Sequence, residues 1–409
     1  MRQKLENEGL LSLQYLLQYG ILVLYERSGG CDSMVLCGID SVRKLDPILK
    51  DARVGVLTNP TGVDQNLRPS YEVLMERYHV TALFAPEHGI RGDAQAGAHI
   101  ATQTDPETGL TAYSLYGVNK HPSEDMFENV DVLVFDIQDV GARCYTYLYA
   151  LTRCMQACAR WGKRLVVLDR PNPIGGVVTE GICLDEVLAS DVGEYAIPLR
   201  YGLTIGEFAQ YINAKKKMGC DLTVVPCEGW KRDMWFDETG RPWILPSPNL
   251  PTPVDSTLHY LASCNFEGTN ISEGRGTTRP FEFVGAPFLN NRELEQRMNG
   301  YGLPGVQFRR CCFTPTFEKH KGERCFGVQL HLTDRKAYRP VETGLYLFHT
   351  VREIGGEGFK LLNEGRHLCH LYGAKDILDQ DFDPAKAWAR AEAEAKEFAR
   401  AAAAFHLYE

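Results

Sequence analysis

The sequence predicts an α/β fold: a Rossmann-like, doubly wound and mostly parallel sheet, followed by a smaller α+β domain. Three observations point there. Four short apolar segments each run into a polar, turn-forming end, and stretches of helical periodicity separate them. After about residue 228 the texture changes, becoming dense in Pro, Gly, Trp and Asn. A chain of 409 residues is longer than one core ordinarily serves, so two domains are expected, over 36–228 and 229–409, behind an extension at 1–35.

The extension is apolar over 10–25, but Gln14, Gln18 and Tyr19 interrupt it, and the unbroken run 21–25 is far too short to span a bilayer. A signal peptide wants a positive start, yet Glu6 and Glu8 stand there, and 27–31 makes a poor cleavage site. A cytoplasmic location and no transmembrane segment are therefore expected.

The four apolar segments are 54–60, 80–89, 130–139 and 165–172. They are near-continuous rather than alternating, as strands buried on both faces of a parallel sheet are. Helices are expected at 71–78 and at 148–161, where Gly162 is the stop, and at 204–214, leading to a fifth strand at 222–226. Residues 230–253 read as a long ordered loop holding Trp230, Trp235 and Trp243. Strands follow at 306–313 and 326–332, and helices at 341–354 and 384–404. The last helix has Asp383 as N-cap, Pro384 at its first position and Trp388, Ala391, Ala395 and Phe398 on one face.

Composition narrows the function. Apolar residues make up 44% and charged residues 24%, as in an ordinary globular protein, and a net charge of −9 offers nothing to attract nucleic acid. The 13 cysteines form no CxxC pair and read as buried or half-buried free thiols in a reducing compartment. There is no GxGxxG after a strand, no GxxxxGK[ST], no GxSxG and no HExxH, so dinucleotide, P-loop, serine-esterase and zincin chemistry are disfavoured. His367 and His370 read as a solvated pair on a helix.

In an open α/β sheet, ligands bind beyond the carboxyl ends of the strands. Here those ends carry Asn59; Glu87 and His88; Asp136, Gln138 and Asp139; and Asp169, Arg170 and Asn172. Asn59-Pro60 and Asp169-Arg170-Pro171 also suit turn initiation. Glu87 and His88, held between Pro86 and Gly89, sit on a stiff turn, which is how a general acid or base is positioned. His88 with Asp136 or Asp139 could instead hold a divalent metal, although no recognised ligand spacing is present. The second half adds two polar stretches, 246–253 with Asn249, and 266–282 with Glu267, Asn270, Glu273, Arg275 and Arg279. Gly268, Gly274 and Gly276 let the second stretch approach a polar or anionic small molecule.

Six strings in this order, VGVLTNPTGVDQNLR, LFAPEHGIRGDAQAG, DVLVFDIQDVGARCYTY, VVLDRPNPIGG, GWKRDMWFDETG and FEGTNISEGRGTTRPFE, resemble the motifs of the NamZ-type exo-β-N-acetylmuramidases. The likeness runs from about residue 38 to about 342. It implies a Rossmann-like domain and a second domain with the active site in the cleft between them. It also implies hydrolysis of a terminal N-acetylmuramic acid residue of a muropeptide or muramic acid disaccharide, without a cofactor. The family's catalytic glutamate lies in its Glu-His-Gly motif, which is Glu87 here. Many members look secreted, so a secreted or envelope location stands as the alternative.

Glycoside hydrolysis ordinarily uses two carboxylates. With Glu87 as the acid, Asp139, Asp136, Glu267 and Glu273 are candidates for the second. Muramic acid carries a lactyl carboxylate, which a guanidinium fork matches. Arg91, Arg143, Arg275 and Arg279 are available, the last two favoured by their glycine-rich stretch. A catalytically silent sugar-binding protein and a metal-dependent hydrolase are the competing readings.

Overall fold

The computed structural model describes residues 34–87, 89–92, 102–117 and 120–409. The chain from residue 33 onward forms one compact unit. All but the last two residues of the expected extension lie outside the described residues; Val35 is already buried, and its N–H donates to Thr239 O at 3.0 Å.

Seven strands make the larger sheet: β1 (Arg53–Thr58), β2 (His79–Ala85), β3 (Gln103–Thr104), β4 (Thr111–Ser114), β5 (Val132–Asp136), β6 (Arg164–Leu168) and β7 (Asp221–Val225). Their order is β3-β4-β2-β1-β5-β6-β7, parallel throughout except for the edge pair β3–β4. The continuous apolar runs have the consequence expected of them. Leu57, Leu133, Phe135, Leu165 and Val167 enter one hydrophobic cluster, while their neighbours Val56, Val134, Val166 and Leu168 enter another on the opposite face. The sheet is covered on both sides.

The chain leaves β1 toward β2 and β4, then crosses back to β5 on the other side of β1. That reversal opens a crevice at the carboxyl ends of the central strands. Ala85 pairs with Ser114, so the segments after β2 and β4 leave the sheet side by side. The helix Tyr147–Trp161 buries Tyr147, Leu148, Leu151, Cys154, Met155 and Cys158 at three- and four-residue spacing. It ends at Gly162, whose φ of 63° suits a residue without a Cβ. The helix Ile205–Lys215 starts with a capping box in which Thr204 and Glu207 each satisfy the other's backbone N–H.

The smaller sheet is antiparallel, with β8 (Phe283–Ala286), β9 (Val306–Phe313) and β10 (Cys325–Leu332) in the order β8-β10-β9. Helices Asn291–Gly300, Pro340–Gly355, Arg366–Tyr372 and Pro384–Ala402 accompany it. Asp383 caps the last of these through Ala385 N and Lys386 N. His367 and His370, on Arg366–Tyr372, are half-buried rather than solvated.

Sequence pattern did not reveal β3, β4, β8 or the helices Asp255–Ser263 and Asn291–Gly300. The first of these helices is buried on every side from Ser256 to Ser263, so it has no apolar stripe. The second buries only Leu294 and Met298. Trp230 and Trp235 are core residues, and the Trp243 indole N–H donates to Leu250 O. The twelve described cysteines are free thiols, and Cys312 alone among them is exposed. No helix among the described residues is long and apolar enough to cross a membrane.

Candidate active site

A cleft of about 510 Å³ opens beyond the carboxyl end of β2, lined on one side by residues 86–192 and on the other by residues 247–318. Glu87 enters it from a tight turn closed by Gly89 N–H donating to Pro86 O at 3.1 Å. Thr146, just before the helix Tyr147–Trp161, donates its hydroxyl to Glu87 Oε2 at 3.0 Å. A loop carboxylate is thereby tied to the start of a long, well-packed helix.

The facing wall begins where the helix Asp255–Ser263 gives way to a single 3₁₀ turn, Cys264–Gly268, which carries Glu267. Arg275 Nη2 lies 3.1 Å from Glu267 Oε1, and its Nε lies 3.7 Å from Glu273 Oε1. Lys319 Nζ holds the other Glu273 oxygen at 2.8 Å. Gly274 and Gly276, with φ of 83° and 80°, carry the backbone round Arg275 in the left-handed region. Burial pushes the Glu267 carboxyl up; Arg275 and Lys319 counter this, and the charges of Glu273 and Glu87 reinforce it. Burial also opposes the charged form of Glu273, but Lys319 and Arg275 outweigh it and hold that carboxyl below its ordinary range.

Of the residues singled out in the sequence, Glu87, Asn249, Glu267 and Arg275 line this cleft, with Glu273 directly behind Arg275. His88 lies outside the described residues. The remaining candidates have scaffold partners. Asn59 Oδ1 accepts from Thr61 N and Oγ1. Arg91 pairs with Asp105 and Glu107. Asp136 and Arg170 form a buried ion pair. Gln138 donates to Asp139 O and Pro171 O.

Asp139 is buried and absent from the cleft lining; it accepts from Tyr201 Oη and Gly141 N, and burial pushes its carboxyl up to about 6. Arg143, placed at the site by its motif, is instead fully buried and donates to the carbonyls of Ile182, Ile197, Leu371 and Tyr372, stapling distant segments together. Asp169 accepts from Thr204 Oγ1 and Gly206 N, and burial pushes it too up to about 6. Asn172 spans Leu203 O and Ile174 N, and Asn270 spans Gly358 O and Lys360 N. Arg279 is half-exposed, pairs with Glu282 and does not reach the cleft lining.

Several lining residues were not anticipated. Tyr145 is buried, and its ring stands edge-on to Tyr147 and Tyr260 at 4.9 and 6.1 Å. Tyr145 and Thr146 stand inside the third motif, so the signal was present but unweighted. Tyr260, on the uniformly buried helix, had no signal at all. Among the described residues, no group of three His, Cys, Asp or Glu side chains could hold a metal ion.

The family model for the N-terminal part of the exo-β-N-acetylmuramidase NamZ matches residues 54–254, and the model for its C-terminal part matches 258–408. The chain belongs to the NamZ family. It is 51% identical over 319 residues to the peptidoglycan β-N-acetylmuramidase NamZ of Bacillus subtilis, covering 78% of this chain and 77% of that protein. Two crystal structures of DUF1343 family proteins from Bacteroides fragilis share the fold, with TM-scores of 0.85 and 0.74 and identities of 34% and 30%. Each match covers 92% of this chain and 99% of the other. Glu87 stands in the segment matching the N-terminal NamZ model and Glu267 in the segment matching the C-terminal one, so both parts of the family contribute to the cleft.

Proposed function

We propose that this chain is an exo-acting glycoside hydrolase that releases N-acetylmuramic acid from the non-reducing end of peptidoglycan fragments. The observation that carries the reading is the pair Glu87 and Glu267, which share one cleft built from both NamZ segments. Glu87 protonates the departing glycosidic oxygen, with Thr146 fixing its orientation. Glu267, on the facing wall of the same cleft, is the second carboxylate that the reaction needs. Asp136, Asp139 and Glu273, with their scaffold or ion-pair partners, support the walls.

The test is a pair of chromogenic substrates, the N-acetylmuramic acid glycoside and its N-acetylglucosamine counterpart. Release from the former alone supports the reading, and release from neither favours a sugar-binding protein. EDTA is expected to leave the rate unchanged, since no metal-competent cluster occurs among the described residues. Loss on chelation, restored by a divalent ion, would turn the mechanism toward metal-assisted hydrolysis.

Arg275 is the proposed reader of the lactyl carboxylate, because of the four candidate arginines it alone lines the cleft. A charge-assisted hydrogen bond contributes about 1.5–3 kcal/mol. Arg275→Lys is therefore expected to lower the preference for muramic acid over glucosamine substrates by about 10–150-fold in kcat/KM. An unchanged preference in this variant would remove Arg275 from recognition of the lactyl carboxylate.

A further inference from the structure

The cleft has two chemically distinct ends, and the proposed hydrolase reading uses only one of them. Around Glu267 and Arg275 the side chains are well covered, with exposures of 16% and 20%. At the other end stand Lys120 and Asp191, exposed to 37% and 55%. The first end is therefore the floor and the second the mouth. An exo-acting enzyme seats the terminal sugar where the pocket closes, so the sugar on the reducing side of the broken bond must lie toward the mouth.

The mouth is built to hold one carboxylate still. Ser190 and Gly193 exchange backbone hydrogen bonds at 2.6 and 3.1 Å, which makes Asp191 and Val192 the tip of a two-residue turn, and both line the cleft. Lys120 Nζ donates to the Asp191 oxygens at 2.8 and 3.1 Å. Arg153 Nη2 donates to Oδ1 at 2.8 Å, and its Nε is held by Glu194 at 2.7 Å. Burial opposes the Asp191 charge, but Lys120 and Arg153 outweigh it and keep the carboxyl below its ordinary range. The group is an ionised acceptor fixed from two sides, beside the apolar face of Val192.

Its position relative to the candidate acid follows from helix geometry. Arg153 lies on the same helix as Thr146's capping position, seven residues further on, so its backbone is about 10 Å along the axis from the residue that holds Glu87.

We infer that Asp191, oriented by Lys120 and Arg153 and flanked by Val192, is the subsite for the leaving sugar, accepting hydrogen bonds from the hydroxyls of a neutral amino sugar. A carboxylate with its charge already met by two cations still accepts from O–H donors while attracting no further cation, which suits a neutral sugar.

This inference rests on the hydrolase reading, and one experiment separates their failures. Parent, Asp191→Ala and Asp191→Asn are assayed on the disaccharide of N-acetylmuramic acid and N-acetylglucosamine, and on an aryl glycoside of N-acetylmuramic acid that carries no second sugar. Both variants are expected to lower the ratio of kcat/KM for disaccharide over aryl glycoside by about tenfold or more, consistent with loss of a hydrogen bond to a charged group. The inhibition constant of free N-acetylglucosamine should rise in parallel. The Asn variant keeps the shape of the turn if the Ala variant folds poorly. A ratio and inhibition constant within about threefold of the parent's overturn the subsite and leave the hydrolase reading standing. A parent that cleaves neither substrate overturns both.

Discussion

Glu87→Gln is expected to lower kcat/KM by about 10²–10⁴-fold while the protein folds as before, because general acid catalysis is typically worth that much. The amide has the shape of the carboxylic acid but cannot give its proton to the departing oxygen. Its carbonyl can still accept the Thr146 hydroxyl, which bonds Glu87 Oε2 at 3.0 Å in the parent. The turn depends on Gly89 N–H donating to Pro86 O, a bond that does not involve the side chain. Orientation and backbone are thereby retained, and the loss reads the proton alone. The measurement is kcat/KM on the chromogenic muramic acid glycoside, with a thermal melt beside it. A Gln variant within about threefold of the parent rate removes Glu87 from the mechanism, and a lowered melting temperature would show that the turn itself had suffered.

What could be read from the sequence was governed by the range of the interactions. The parallel sheet was legible because residues such as Val166 and Val167 are apolar on both faces of the strand, a pattern written within five consecutive positions. The strand ends were legible for the same reason, since each polar terminus follows directly on its apolar run. Which of those polar groups faces the cleft was not. Arg143 and Glu87 both stand in dense motifs, but the partner that removes Arg143 from the site, Leu371 O, lies 228 residues away. Asp139 meets Tyr201 across 62 residues. Sequence pattern reports that a polar residue sits at a strand's end; only the closed tertiary structure says whether it points into the cleft or onto the carbonyls of a distant segment. The mouth of the cleft, with Lys120, Arg153 and Asp191 drawn from three separate segments, left no local trace.

Arg170→Met is expected to destabilise the fold by about 3–5 kcal/mol, the usual cost of leaving one member of a buried ion pair without its partner. Arg170 Nε and Nη2 reach the two Asp136 oxygens at 2.6 and 2.8 Å, and the side chains are 3% and 0% exposed. Water therefore cannot take over when the guanidinium is removed. Asp136 closes β5 beside Thr58 at the end of β1, so its unpaired charge would lie at the centre of the sheet. The Val63 carbonyl that Arg170 also binds keeps Arg241 as a second donor, which confines the damage to the carboxylate. The double variant Asp136→Leu with Arg170→Met separates the two contributions. Replacing a buried pair with apolar side chains of similar volume is often close to neutral, so the double variant should be markedly more stable than Arg170→Met alone. Urea denaturation of the parent, both single variants and the double variant gives the coupling directly. If Arg170→Met costs less than about 1 kcal/mol yet abolishes cleavage of the muramic acid glycoside, the scaffold role is wrong, and Arg170 returns to the ligand-binding role that its place at a strand's end first suggested.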